Sequence, residues 1–255
     1  MHCWLWQESE WLPASEIPLS DRGFRYGMAV FETVRIRAGR AEHVPAHLER
    51  LLRACRVCGF PANPAVLETA AALLDSGLGH SGVARLYASA GDGGPADAVH
   101  APRFALLFEE RAPAQKSAYA VRSCPGTHHP PFGGLKTANY WANALSLRVA
   151  MEAGAQEALL FNQEGQLIGG CMSNAFLRIE GRWYTPALEC GARDGVMRAE
   201  VLARLPVEEG RVSREMVARA DGALLTSSWI GVVTVRELDG RPLQIPAECE
   251  PLSAL

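Results

Sequence analysis

Gly133-Gly134-Leu135-Lys136-Thr137-Ala138-Asn139-Tyr140 is an uncharged, small-residue stretch passing into a helix, and it carries one of only two lysines in the chain. The other is Lys116, and every other member of the 25 basic residues is an arginine. A lysine with no carboxylate beside it in sequence, once partly desolvated, loses its proton near neutral pH, as a lysine that forms a Schiff base has to do. The plainer alternative is a solvated surface charge in a chain whose arginine excess reflects coding bias.

Working outward, a helix is expected over about 137–153, with Gly154 as its stop. Strands are expected at 157–161, 166–168, 175–179 and 183–185, separated by Glu164-Gly165 and Glu180-Gly181 as in a meander. Residues 195–205 and 214–220 read as helices, and 223–226 and 232–236 as strands. Upstream, Phe31-Glu32-Thr33-Val34-Arg35-Ile36-Arg37 alternates like a strand and turns at Ala38-Gly39-Arg40. Leu48, Leu51, Leu52 and Cys55 share a helix face that ends at Gly59-Phe60-Pro61, and a second helix is expected over 64–74. Strands at 83–90 and 104–109 flank Gly91-Asp92-Gly93-Gly94, and one near 118–122 leads into the Pro-rich stretch of residues 126–131. Helices mixed with antiparallel strands in two halves predict an α+β protein. The Pro-containing segment Arg111-Ala112-Pro113-Ala114-Gln115 reads as a linker, dividing the chain into a smaller domain, residues 1–115, and a larger one, residues 116–255.

The chain has 255 residues, 48% of them hydrophobic, and a formal net charge of −3. That suffices for a full core and leaves no basic surplus, so neither nucleic acid nor an anionic membrane is an expected partner. No run approaches the roughly 20 apolar residues of a membrane span, and the first residues lack a basic region followed by an apolar one. A cytoplasmic location is the expectation. Seven cysteines, an odd number, do not form a disulfide framework and are read as reduced thiols. Cys55-Arg56-Val57-Cys58 has redox or zinc spacing, but within a helical pattern and without a second ligand pair it is read as core.

If Lys136 carries pyridoxal phosphate, the chain must also hold a phosphate, and candidates exist. Asp194-Gly195-Val196-Met197-Arg198 opens a helix whose free amides attract an anion. Thr226-Ser227-Ser228 ends a strand with three hydroxyls in a row, and Arg50 in His47-Leu48-Glu49-Arg50-Leu51 would add charge. Each piece alone is common: a glycine at a helix start, a turn, a solvated arginine.

Their order along the chain resembles the fold type IV pyridoxal phosphate enzymes, the class IV aminotransferase family of branched-chain aminotransferases, D-amino acid transaminases and aminodeoxychorismate lyases. The resemblance covers nearly the whole chain. It rests on Asp21-Arg22-Gly23-Phe24-Arg25-Tyr26-Gly27 and Val30-Phe31-Glu32-Thr33, on the helix around Arg50, and on Leu135-Lys136-Thr137-Ala138-Asn139-Tyr140. Ser173-Asn174-Ala175-Phe176 and Gly195-Val196-Met197-Arg198 complete it. It implies the two-domain, D-amino acid aminotransferase-like fold and a homodimer, with Lys136 as Schiff-base lysine and general acid/base. As cofactor contacts it implies Arg50, Ser173, Asn174, Gly195, the amides of Val196 and Met197, Thr226 and Ser227, while Tyr140 is either a cofactor neighbour, with Asn139, or helix core. Gly195-Val196-Met197-Arg198 and Ser228 to Arg236 look most like the aminodeoxychorismate lyases, which release pyruvate from 4-amino-4-deoxychorismate and leave 4-aminobenzoate for folate synthesis.

The chain also departs from the pattern. Gly169 stands where the family normally carries a glutamate that keeps the pyridine nitrogen protonated, and losing that carboxylate weakens the electron sink. Met28 and Ala29 replace the usual Asp-Gly, and Ala90 precedes Gly91 where several relatives have an arginine for a substrate carboxylate. A weaker electron sink harms transamination more than elimination, so a lyase is the first expectation. A transaminase of D-amino or branched-chain amino acids is the second, and a non-catalytic cofactor-binding descendant the third. His128 and His129 are either solvated or overhang the site, and Glu32 faces either the cleft or solvent.

Overall fold

The computed structural model describes residues 1–61, 64–114 and 117–255. Gln115 and Lys116, where the sequence boundary falls, lie outside the described residues. The chain forms two compact units, Met1–Ala114 with Lys136–Asn139, and Gln115–Leu135 with Tyr140–Leu255.

In the first unit β1 (His2–Gln7) and β2 (Glu10–Pro13) make a hairpin, and the short α1 (Arg22–Tyr26) follows. Then come β3 (Ala29–Arg37), β4 (Arg40–Ala41), α2 (Val44–Val57), α3 (Pro64–Asp75), β5 (Ser81–Ser89) and β6 (Arg103–Glu110). The strands form one antiparallel sheet in the order β2-β1-β6-β5-β3-β4. Its spine is the pair β3 and β5, in register from Ala29 opposite Ser89 to Arg37 opposite Ser81. Val44, His47, Leu51, Ala54 and Cys55 recur at helical spacing and bury one face of α2, which packs on β3. The Cys55 thiol belongs to that core, and burial pushes it up to about 12.

Arg22 is almost wholly buried and, among the described residues, makes no ion pair with a carboxylate. Its guanidinium donates instead to the carbonyls of Ala90 (2.5 Å), Gly91 (3.3 Å), Gly94 (3.3 Å) and Asp97 (2.8 Å). This satisfies a charge that would be costly to bury unpaired and sets the course of the loop between β5 and β6.

The second unit holds β7 (Tyr119–Ser123), α4 (Trp141–Glu152), β8 (Glu157–Phe161), β9 (Leu167–Gly170), β10 (Asn174–Ile179) and β11 (Arg182–Pro186). Next are α5 (Val196–Leu202), β12 (Val207–Gly210), α6 (Arg214–Arg219), β13 (Gly222–Ser227), β14 (Gly231–Leu238) and β15 (Arg241–Pro242). The sheet order is β12-β11-β10-β13-β14-β7-β8-β9, with β15 also on β14. The expected meander is therefore corrected. β8 and β9 form an edge hairpin, while β10 pairs with β11 and β13, and β14–β7, β7–β8 and β11–β12 run parallel. Val121, Leu159, Phe161, Leu177, Leu225 and Val235 lie in the core of one face. On the other, Ala150 of α4 packs with Ala120, Ala158 and Leu160.

Two helix expectations also shift. The helix after Lys136 starts at Trp141 rather than 137, because residues 136–139 hydrogen-bond to the backbone beside β3 instead. The helix expected over 195–205 ends at Leu202, and β12 uses the residues after it.

Candidate active site

Lys136 is held by backbone bonds within the first unit. Its carbonyl accepts from the Phe31 amide (2.9 Å), Thr137 bridges Val30, and the Ala138 amide donates to Ala29 (2.8 Å). Asn139 Nδ2 donates to the Gly27 carbonyl (3.1 Å), and Gly27 leaves room for that side chain: at φ +68 it has no Cβ, and one built there would sit 2.1 Å from Asn139 Oδ1. The segment is thus extended along the end of β3, and Lys136 Nζ lies over the Phe31 ring, 4.2 Å from its centroid.

The next residue of β3, Glu32, is buried rather than solvent-facing. Arg50 grips it with two hydrogen bonds, Nε to Oε1 at 2.7 Å and Nη2 to Oε2 at 2.5 Å, and His47 Nδ1 lies 2.7 Å from Oε2. Burial alone would raise the Glu32 carboxyl, but the Arg50 charge, then the hydrogen bonds from His47 and Arg50, hold it at about 2. Burial pulls His47 below its usual value despite Glu32, so the ring is neutral at pH 7 and Nδ1 carries the proton it donates. Lys136 and Arg50 therefore engage consecutive residues of one strand. Neither Glu32 nor His47 was assigned a partner from sequence, although His47 and Arg50 stand three apart on one helix face.

In the second unit Asn174 joins the expected phosphate elements. It opens β10 opposite Thr226 of β13, and its Nδ2 donates to the Arg193 carbonyl (2.7 Å). A Cβ at Gly195 would sit 2.0 Å from Asn174 Oδ1, so only glycine lets the carboxamide in. Gly195 is the extended N-cap of the seven-residue α5 and offers no side chain to its first amides, those of Val196 and Met197. The Met197 side chain is core, with Phe176 and Leu224. Thr226 Oγ1 is fully buried with no hydrogen-bond partner, an orphan hydroxyl beside Asn174. Uncapped amides and an unpaired buried hydroxyl fit a phosphate. Ser227 accepts from the Ile230 amide at 3.4 Å across a turn.

Ser173 directs its hydroxyl elsewhere, at Glu157 Oε2 (2.8 Å). Glu157 opens β8 fully buried, and also accepts from the amides of Ala158, Cys171 and Met172, each at 3.0 Å. Burial pushes its carboxyl above the ordinary range, against those four hydrogen bonds. It was missed in the sequence, where a charge at the head of the apolar run Glu157-Ala158-Leu159-Leu160-Phe161 was the only sign. Gly170 packs against it, and the preceding Gly169 has φ +134, where a Cβ would come 3.0 Å from the Ser173 carbonyl oxygen.

Tyr140 caps the start of α4, and the Arg193 guanidinium lies 5.5 Å from its ring centroid. Arg193, too, was not singled out from sequence. His128 turns toward α4, its Nε2 3.1 Å from Ser146 Oγ and its pKa lowered by burial, whereas His129 is exposed.

The family model described as amino-transferase class IV matches residues 29–238. The aminodeoxychorismate lyase of Bacillus subtilis (strain 168) is 29% identical over 237 residues, covering 86% of this chain and 80% of that protein. The crystal structure of 4-amino-4-deoxychorismate lyase from Pseudomonas aeruginosa is 29% identical with a TM-score of 0.83, covering 99% of this chain and 97% of that one. The branched-chain aminotransferase of Thermoproteus uzoniensis, 21% identical, shares the fold at a TM-score of 0.88 over 100% of this chain and 92% of its own.

Proposed function

The chain belongs to the class IV aminotransferase family, with its α+β fold type IV architecture and its use of pyridoxal phosphate, and we propose that within it this protein is a lyase that releases pyruvate from 4-amino-4-deoxychorismate, leaving 4-aminobenzoate for folate synthesis. The observation that carries this reading is Gly169. Its φ of +134 and the nearby Ser173 carbonyl suit no glutamate, so the carboxylate that favours transamination is absent by backbone geometry as well as by sequence. The likeness to aminodeoxychorismate lyases over most of the chain supports it.

The cofactor, when bound, supplies an electron sink for the pair left when the substrate Cα loses a proton. Lys136 would hold the cofactor, take the proton from Cα and deliver one to the pyruvate that departs as the ring becomes aromatic. Arg50, the Thr226 hydroxyl, Ser227 and the amides of Val196 and Met197 bind the phosphate. Glu32 keeps the Arg50 guanidinium in one orientation, and Asn174 keeps the Gly195 turn open. Tyr140 and Ser173 act through what they hold, the first beside Arg193 and the second on Glu157.

The chain acts as a homodimer in this proposal. Trp141, Leu145 and Val149, at i, i+4 and i+8 of α4, are 76%, 41% and 63% exposed, an apolar stripe that a second copy would cover. Among the described residues no helix is long and apolar enough to cross a membrane. The second reading, a transaminase, is favoured by the shared fold of the branched-chain enzyme.

The test compares wild type and Lys136→Ala after incubation with pyridoxal phosphate. Wild type is expected to gain a visible band that borohydride removes, and the variant to lack it. Wild type should then release pyruvate from aminodeoxychorismate. Keto acid formed from D-alanine or leucine, without pyruvate release from aminodeoxychorismate, would overturn the lyase in favour of the transaminase.

A further inference from the structure

Arg193 lies in the loop between β11 and α5, and that loop is fixed from two directions within its own unit. Asn174 takes the Arg193 carbonyl and fills the space beside Gly195. Gly134, at φ +94, packs so closely that a Cβ there would stand 2.7 Å and 2.6 Å from the carbonyl oxygens of Gly191 and Ala192. Tyr140 then supplies the ring beside which the guanidinium rests. Gly134 and Tyr140 stand two residues before and four residues after Lys136 in the sequence, so the loop is gripped by the residues that bracket the lysine.

Among the described residues this well-fixed arginine makes no side-chain hydrogen bond. Its Nε is buried with no hydrogen bond, and among the described residues its guanidinium makes no ion pair. The adjacent Asp194 does not pair with it. A buried guanidinium nitrogen is costly to leave unmatched, and its fork geometry suits the two oxygens of a carboxylate. The chain also has the buried Ala90, not an arginine, before Gly91, so the loop between β5 and β6 brings no cation at that position.

We propose that Arg193 binds a carboxylate of the substrate. This rests on the region being the active site of a pyridoxal phosphate enzyme, and holds for a lyase or a transaminase alike. The cationic fork takes the planar anion on its hydrogen-bonding edge while Tyr140 covers its face, a pairing that fixes the orientation of the substrate rather than the chemistry.

The test uses holoenzyme and maleate, an unreactive dicarboxylate, with Arg193→Met to keep volume and Arg193→Lys to keep a point charge. Maleate affinity is measured by calorimetry, cofactor affinity by absorbance titration, and kcat and KM by pyruvate release, with thermal unfolding as a check on folding. Arg193→Met should weaken maleate and raise KM by about 10- to 100-fold, with Arg193→Lys between it and wild type and cofactor affinity within about twofold of wild type. Arginine-dependent maleate binding without pyruvate release would sustain this proposal while sinking the lyase reading. Unchanged maleate affinity in both variants, no maleate binding by wild type, or a loss confined to cofactor affinity would overturn it; the last would make Arg193 a phosphate ligand. Should Arg193→Met fail to fold, Arg193→Lys alone decides, because a carboxylate subsite predicts a higher maleate Kd with an unaltered unfolding temperature.

Discussion

Replacing Glu32 by Gln keeps the shape of the side chain and removes its charge, which the structure makes a demanding change. The carboxylate accepts two hydrogen bonds from Arg50 and one from His47 in nearly complete burial. Gln presents an amide NH2 to one side of that ring of donors, so at least one of them loses its acceptor. Holding a carboxyl at about 2 instead of 4.5 corresponds to about 3 kcal/mol of preference for the charged form in the folded protein. Spread over a chain of this size, that should lower Tm by about 6–12 °C at pH 7. The sign with pH follows from the depressed folded-state value. The Glu32 contribution is whole above 4.5 and is lost as pH falls from 4.5 towards 2, so the gap between wild type and variant should close over that range. Urea unfolding of both proteins from pH 7 down to the acid limit of reversible folding measures it. A variant within about 0.5 kcal/mol of wild type at pH 7, or a gap that stays constant below pH 4, would refute the assignment of Glu32 as the anchor of Arg50.

Gly169→Glu should not create a transaminase: at φ +134 the substitution costs about 1–3 kcal/mol in urea unfolding and yields no new keto acid production. Glu157→Ala leaves the amides of Ala158, Cys171 and Met172 without their side-chain acceptor, so amide exchange at 171 and 172 should accelerate and stability fall by about 3 kcal/mol or more. Unchanged exchange there would show that the loop does not depend on the carboxylate. A Trp141→Glu, Val149→Glu double variant, charged on the exposed stripe of α4, should sediment as a monomer where wild type sediments as a dimer.

The long strands were legible because their alternation has a buried face to serve. Phe31 to Arg37 fell inside β3, and 157–161 coincided with β8. The hairpin of β1 and β2 was not legible, because its two-residue turn places Glu8 and Ser9 at φ +50 and +67, where Asn or Gly would have advertised a primed turn. The start of α4 and the break in pairing between β9 and β10 were misjudged for a different reason. Both depend on partners distant in sequence: backbone bonds between residues 136–138 and β3, and the grip of Glu157 on residues 171–173. The same holds for the candidate site. Lys136, Asn174 and Gly195 could be named from local motifs, but the carboxylate facing Arg50, the buried Glu157 and the unpaired Arg193 emerge only when separate segments meet.

The short stretch Lys136–Asn139 folds with the first unit although its neighbours on both sides in the chain belong to the second. On the ribosome, therefore, the first unit is unfinished when Ala114 emerges. It must wait for 23 further residues, about 1–5 s of synthesis, before Thr137 can bridge Val30. The lysine that would carry the chemistry is thus also the start of the last piece that closes the N-terminal sheet region. A gene fragment cut between the two units would lose both at once.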